Sequence, residues 1–339
     1  MSAVSQLQAA WLHRGWLARL LLPISCLYGL AIALRAGCYR LGLMQPIKLP
    51  VPVIVVGNLV AGGAGKTPTT IALVHLLRER GFTPGILSRG YGRQTGDIVL
   101  IDRETPAGTA GDEPLLMHLR TGAPVAVGAD RIAAGQALLK AVPSVNILIS
   151  DDGLQHLRLT RDAQVIVFDE RGVGNGWLLP AGPLREPALR ALPPRSVVLY
   201  NAAGPTTALS GHQVVRRLTG LAPLSDWWSG RPAKAEAFTE MHGHHALAAA
   251  GLARPQRFFD MLRAQGLSIG ELSLPDHHDF ATLPWPAGTA DVVVTEKDAV
   301  KLKPEAMGST RVWVATLDFD LSPAFAAELM QWLPPNDRP

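Results

Sequence analysis

The first 78 residues of this 339-residue chain contain neither aspartate nor glutamate. Before Glu79 come Arg14, Arg19, Arg35, Arg40, Lys48, Lys66 and Arg78, so the net charge of +4 resides at the N-terminal end and the remainder is net acidic. A cationic end without carboxylates suits an anionic surface, either lipid headgroups or nucleic acid. Cysteine is nearly absent too. Cys26 and Cys38 are the only two, and neither has metal-ligand company. That excludes a disulfide framework and points to reducing cytoplasm. There is no internal repeat and no low-complexity tract. Hydrophobic residues make up 47% and charged residues 18%, a globular balance that leans apolar in a chain long enough for two domains.

What is present begins with an uncharged run, Leu20 to Leu34, bracketed by Arg19 and Arg35. Trp11, Trp16, Tyr28 and Tyr39 lie along or beside it, the aromatic types that favour a membrane interface. This neighbourhood selects lipid over nucleic acid as the anionic partner. Fifteen helical residues reach about 22 Å, short of the ~30 Å hydrocarbon core, and Pro23 and Gly29 weaken the run further. The expectation is a helix lying in, or dipping into, one leaflet. The alternative is a greasy helix packed on the protein's own core.

Residues 53–68 read VIVVGNLVAGGAGKTP. Val53 to Val56 form a β-branched run typical of a strand buried on both faces. Across Val60, Ala61, Gly62, Gly63, Ala64 and Gly65 the backbone can curl so that N–H groups point at one centre. Lys66 adds a mobile positive charge and Thr67 a hydroxyl for a magnesium ion. A helix expected over Thr69 to Arg80 would turn its N-terminus to the same anion. The pattern predicts a nucleotide triphosphate at the end of the first strand. The usual G-x-x-x-x-G-K-[ST] spacing wants glycine at position 60, where this chain has Val60. A cleaved signal peptide is disfavoured, because the apolar run starts late and this loop follows it.

Further strands are expected at Thr83 to Leu87, Pro124 to Gly128, Val145 to Ser150, Gln164 to Phe168 and Ser196 to Tyr200. Each ends in polar or glycine residues, where an open α/β sheet places its ligands. From Gly204 to Pro232 the composition shifts to Gly, Pro, Ser and Thr. A smaller pattern follows, with strands at Ala246 to Ala250, Asp291 to Thr295 and Arg311 to Thr316, and helices at Pro255 to Gln265 and Ser322 to Leu333. The reading is an α/β protein: a membrane-associated helix (1–45), a P-loop domain with a mostly parallel sheet (46–203), a linker (204–235) and a smaller α/β domain (236–339).

Asp151 and Asp152 follow the strand VNILIS, where a nucleotide enzyme needs a carboxylate for magnesium; the lesser alternative for two adjacent acids there is a helix cap or turn. Asp112 and Glu113 open a helix in GDEPLLM, where N-capping explains them as well as chemistry does. Arg185 and Glu186 occupy a loop rich in Gly and Pro. In PDHHDF, Asp276, His277, His278 and Asp279 offer a histidine beside carboxylates, a general-base arrangement or a polar loop. His242, His244 and His245 lack cysteine or carboxylate partners and read as a solvated loop or strand edge.

The series VVGNLVAGGAGKTP, LSRGYGR, GDEPLLM, ISDDGLQHLRL, GNGWLLPAGPLREP, PDHHDF and TEKDAVKL, in that order, resembles the tetraacyldisaccharide 4'-kinases of Gram-negative bacteria from about Trp11 to Leu333. No motif is broken, and the family's own loop lacks glycine at the position of Val60. The resemblance implies transfer of the γ-phosphate of ATP to the 4'-hydroxyl of a lipid A disaccharide 1-phosphate, giving lipid IVA. ATP and Mg2+ would be the cofactors, and the site the cytoplasmic face of the inner membrane. No nucleic acid and no obligate protein partner are implied. It makes Lys66 and Thr67 the phosphate and magnesium residues, and Asp112 with His277 a catalytic dyad, one from each domain, which predicts that closure assembles the pair. Asp151, Asp152, Glu113 and Glu186 match acidic positions around nucleotide and metal. Two other readings remain: a membrane-bound P-loop switch or ATPase without a small-molecule acceptor, and a P-loop metallochaperone.

Overall fold

The structure, a computed structural model, describes residues 7, 9–93, 96–276 and 278–335. Its strands in chain order are β1 (Val53–Gly57), β2 (Pro84–Ser88), β3 (Val99–Ile101), β4 (Val125–Val127), β5 (Ile147–Asp151), β6 (Ala163–Asp169) and β7 (Ser196–Asn201). There follow β8 (His212–Gln213), β9 (Val215–Pro223), β10 (His245–Ala250), β11 (Ser268–Ser273), β12 (Asp291–Thr295) and β13 (Arg311–Asp320). The chain divides into two compact units that are not contiguous in sequence. The first comprises Met1–Arg89, Ala123–Val215 and Asp320–Pro339; the second comprises Gly90–Gly122 and Arg216–Phe319.

In the first unit the sheet runs β4-β2-β5-β1-β6-β7-β8 with every pairing parallel. β1, β2, β5 and β7 are buried at every position, as parallel strands covered on both faces must be. Helices Lys66–Glu79 and Arg131–Ala141 connect parallel strands across the sheet. One core joins Val53, Val55, Leu87, Leu148, Phe168 and Tyr200. The last two rings stack at 5.9 Å. The C-terminal helix Pro323–Met330 belongs here as well. Phe325 is fully buried and Glu328 meets His212 at 2.6 Å.

The apolar N-terminal segment forms helix Leu22–Arg40, 19 residues where the charge pattern suggested fifteen. Pro23 sits in the first turn, where its missing N–H is no loss. Gly29 lies inside the helix and faces Leu178, whose Cδ1 would stand 2.9 Å from an added Cβ. Ser25 Oγ donates to the Leu178 carbonyl and Tyr28 OH to the Arg185 carbonyl. Much of the rest of the helix is uncovered: Ile24, Leu27, Leu30 and Leu34 are exposed at three- and four-residue spacing. A helix packed within the protein's own core is therefore ruled out. Among the described residues it is the one helix long and apolar enough to cross a membrane, by length and composition only.

The second unit holds the sheet β11-β10-β12-β13-β9, with β11, β10, β12 and β13 paired parallel. Its core gathers Phe238, Phe258, Phe259, Leu262 and Val293. Much of the stretch read as a linker is ordered here: β9 supplies an edge strand, and helix Leu224–Trp228 buries Trp227.

Candidate active site

β1 is central in its sheet and its register pairs Val56 with Asp151 of β5. That parallel alignment ends both strands at one level and sets the acids of β5 beside the loop that leaves β1. The loop turns through Gly62 (φ +93°) and Gly65 (φ +96°), left-handed conformations that an L side chain would strain. Gly65 is the N-cap of helix Lys66–Glu79, so the first-turn N–H groups open onto the loop's concave side. Val60 and Ala61 are framework. Val60 is fully buried and bridges Leu184, and the Ala61 N–H donates to the Pro183 carbonyl at 2.7 Å. The Ala61 amide is therefore already committed to a protein carbonyl, and position 60 is occupied by a buried valine.

Lys66 is buried and its ammonium is held from two sides, by Asn58 Oδ1 at 3.2 Å and Asp152 Oδ1 at 3.6 Å. Thr67 lies buried at the same helix start. Asp152 has a left-handed backbone (φ +49°), uncommon for a non-glycine residue, which turns it away from the line of β5. Arg185 meets the same carboxylate oxygen at 2.7 Å. Burial alone would push the Asp152 carboxyl up, but Lys66 and Arg185 together hold it below the usual carboxylate range. Asp151 is buried and accepts from Thr70 Oγ1 at 3.3 Å. Glu186 is oriented by Gln155 Nε2 at 2.7 Å, and that amide nitrogen also reaches the Asn58 carbonyl. His156, next in the chain, is driven down to about 4, chiefly by burial and then by the Arg131 charge. So the first unit brings together the loop 60–67, Asp151, Asp152 and Glu186. Asn58, Gln155 and Arg185 lie inside recognised motifs, yet their holding roles escape a linear reading.

The remaining acids lie in the second unit. Asp112 and Glu113 open helix Asp112–Thr121 behind Gly111, whose φ of +87° gives the sharp entry. Lys301 Nζ sits 3.2 Å from Asp112 Oδ2, with only 7% of its side chain exposed. The same ammonium donates to the His278 carbonyl at 2.9 Å and stands 5.8 Å over the Phe280 ring. Lys297 meets Asp276 at 3.2 Å and Glu113 at 3.8 Å. Both lysines come from the TEKDAVKL segment, and between them they tie GDEPLLM to PDHHDF. His277 lies outside the described residues; its neighbours Asp276 and His278 are in the same compact unit as Asp112. Asp112 therefore falls in the compact unit of Asp276 and His278 and not in that of loop 60–67, where the sequence placed it, while the expected closure onto His277 concerns a residue outside the described ones. Residues 90–122 follow β2 and cluster with 216–319, a route that no composition shift announces. Glu113, expected among the metal acids, is likewise in the second unit. His242, His244 and His245 are exposed, and His245 bonds Ser268 Oγ at the start of β10.

The arrangement in the first unit is a glycine loop at a helix start, with a buried lysine and adjoining carboxylates. The chain as a whole is similar to known proteins. The family model of tetraacyldisaccharide-1-P 4'-kinase (LpxK) matches residues 17–334. A tetraacyldisaccharide 4'-kinase of Methylibium petroleiphilum is 53% identical over 330 residues, covering 96% of this chain and 92% of its own. One from Leptothrix cholodnii is also 53% identical, over 334 residues, covering 97% and 96%. A crystal structure of LpxK from Aquifex aeolicus, described as in complex with ATP, superposes with a TM-score of 0.76 at 28% identity, covering 94% of this chain and 99% of that one. With the match unbroken from the apolar helix to the end of the last one, the chain belongs to the tetraacyldisaccharide 4'-kinase family.

Proposed function

We infer that this chain is an ATP-dependent kinase that moves the γ-phosphate of ATP to the 4'-hydroxyl of a tetraacyldisaccharide 1-phosphate, giving lipid IVA. The observation that carries the reading is Lys66, buried at the mouth of a helix-capped glycine loop and flanked by Asp152, in a chain that matches kinases of this acceptor over nearly its whole length. Phosphoryl transfer depends mainly on positioning and charge neutralisation. The amides of Gly62 to Gly65 and the first turn of the helix would receive the phosphate oxygens, and Lys66 would offset their charge. Asn58 and Asp152 keep that ammonium at the loop and not in solvent.

A magnesium ion takes one or two protein oxygens and completes its shell with phosphates and water. The donors beside the loop fit such an ion: the Thr67 hydroxyl and the carboxylates of Asp151, Asp152 and Glu186, oxygen throughout. When bound, the ion would neutralise charge on the β- and γ-phosphates. Asp112 is the proposed acceptor of the hydroxyl proton, with His277 as its partner. Lys301 keeps the Asp112 carboxylate accompanied by a positive charge at 3.2 Å.

The acceptor is a lipid, and the exposed leucine stripe on helix Leu22–Arg40 supports a monotopic seat on the cytoplasmic face of the inner membrane. One face of that helix is hydrogen-bonded to the loop 175–185, which suits a helix lying in the interface better than one spanning it. The test is incubation with labelled ATP, Mg2+, detergent and the tetraacyl disaccharide 1-phosphate. A bisphosphorylated lipid is expected from the wild type and not from Lys66→Ala or Asp112→Ala. A folded wild type that makes none, or that hydrolyses ATP at a rate indifferent to the lipid, would remove the kinase reading.

A further inference from the structure

Four consecutive carbonyls of the phosphate loop are each held by a side chain. Arg171 Nη1 donates to the Ala61 carbonyl at 2.9 Å and Nη2 to the Gly63 carbonyl at 3.0 Å. Asn58 Nδ2 donates to the Gly62 carbonyl at 3.2 Å. Asn201 Nδ2 donates to the Ala64 carbonyl at 2.9 Å. In a trans peptide the C=O of one residue and the N–H of the next point in opposite directions. Fixing the carbonyls of 61 to 64 therefore fixes the amides of Gly62, Gly63, Ala64 and Gly65 the other way. Among the described residues these four amides donate no hydrogen bond.

Asn58 follows β1 itself, Arg171 follows β6 beside it, and Asn201 ends β7 one strand further out. Asp169 ends β6 and Asn201 ends β7, and the two are register partners. Asp169 is buried, and its carboxylate takes the Arg171 Nε at 2.9 and 3.1 Å and the Arg171 backbone N–H at 2.9 Å. The guanidinium is thereby committed on one edge and presents its other nitrogens to two carbonyls two residues apart. An ammonium cannot reproduce that fork. Gly62 fits the same device, since a Cβ there would stand 3.1 Å from Arg171 Nη1.

We propose that Arg171, oriented by Asp169, is a positioning residue for ATP: it braces the phosphate loop from outside so that the amides of 62 to 65 face the phosphates before ATP arrives. The proposal rests on the assignment of the loop to ATP. Without the brace the 61–62 and 63–64 peptides can rotate, and ATP must order them on binding. That cost falls on nucleotide affinity and not on acceptor affinity.

The experiment measures ATP dissociation constants and the KM for each substrate in the full chain, for wild type, Arg171→Lys, Arg171→Ala and Lys66→Ala. Expected is a roughly tenfold weaker ATP affinity in both Arg171 variants, with the KM for the lipid acceptor unchanged. Millimolar methylguanidinium should restore ATP affinity to Arg171→Ala and do nothing for Lys66→Ala. General loosening of the fold would move both KM values and would not respond to the added guanidinium. If the wild type binds ATP and Arg171→Lys binds it equally well, the brace is refuted and the nucleotide assignment stands. Failure of the folded wild type to bind ATP at all would overturn the assignment, and the brace with it.

Discussion

Arg120 provides the sharpest stability prediction in the second unit. Its side chain, 14% exposed, lies between Glu296 and Asp318. Glu296 is 8% exposed and meets Arg120 Nη1 at 2.5 Å, whereas Asp318 is 37% exposed. Glu296 also accepts from Trp227 Nε1 at 3.2 Å and from the Leu317 N–H at 3.1 Å. Arg120→Met would keep the apolar stem and remove the charge. It leaves a buried carboxylate with two neutral donors and no counterion, a loss of about 3–5 kcal/mol for a pair broken on one side. For a unit of this size that lowers the melting temperature by on the order of 10 °C. The exposed partner predicts the opposite scale: Asp318→Asn should cost less than ~1 kcal/mol, because water replaces most of what it gives. Adding Glu296→Gln to Arg120→Met removes the stranded charge and should recover ~1–2 kcal/mol, though the new amide cannot accept from both remaining donors. Calorimetric melting of the three variants and wild type checks the set. If Arg120→Met and Asp318→Asn shift the melting temperature equally, or the double variant is no better than Arg120→Met alone, the burial argument is wrong.

Three further outcomes follow from other parts of the molecule. Gly65→Ala places a Cβ on a residue at φ +96° and should weaken ATP binding at least tenfold, on the order of 1–2 kcal/mol of strain at the helix cap; equal ATP affinity by titration calorimetry would refute the strain argument. His156 is held at about 4 in the folded chain against 6.5 when unfolded. The unfolded chain therefore binds the proton first, and stability falls as pH drops from 6.5 towards 4. His156→Gln should flatten part of that decline, and a wild-type and variant pair with parallel melting temperatures between pH 7 and pH 5 would contradict it. Leu27→Glu with Leu34→Glu puts two carboxylates on the exposed stripe and should release the protein from membranes in flotation assays while leaving ATP affinity intact; unchanged flotation would count against the interfacial seat.

The first unit's sheet was largely legible because parallel strands buried on both faces are written as short β-branched runs, and β1, β5 and β7 start or end within two residues of their expected limits. The phosphate loop was legible because its glycines and lysine have a fixed spacing to the strand before and the helix after. The edge strands were not. β8 and β11 are short or half-exposed, and half-exposed edges carry too little apolar pattern to separate from loop. The chain's double crossing between units was equally silent, since a crossing that begins and ends in ordinary glycine turns leaves no shift in composition.

The same physics explains which site residues stayed hidden. Lys66 and Asp152 announce themselves, because a loop that binds phosphate needs a cation and a metal that follows it needs a carboxylate. Arg171 and Asn201 hold loop carbonyls, and any donor of the right reach would look the same in a sequence. Lys297 and Lys301 are harder still. In isolation they are two lysines on a four-residue helix and the turn after it, beside Asp298, whose carboxyl is pushed up by burial. Only the fold reveals that one ammonium reaches both Asp112 and the His278 carbonyl. That contact explains why TEKDAVKL is as specific a motif as the loop itself. Its lysines set the charge and the relative placement of two segments more than 150 residues apart in the chain, and any reading that assigns chemistry to Asp112 must also assign its position to Lys301.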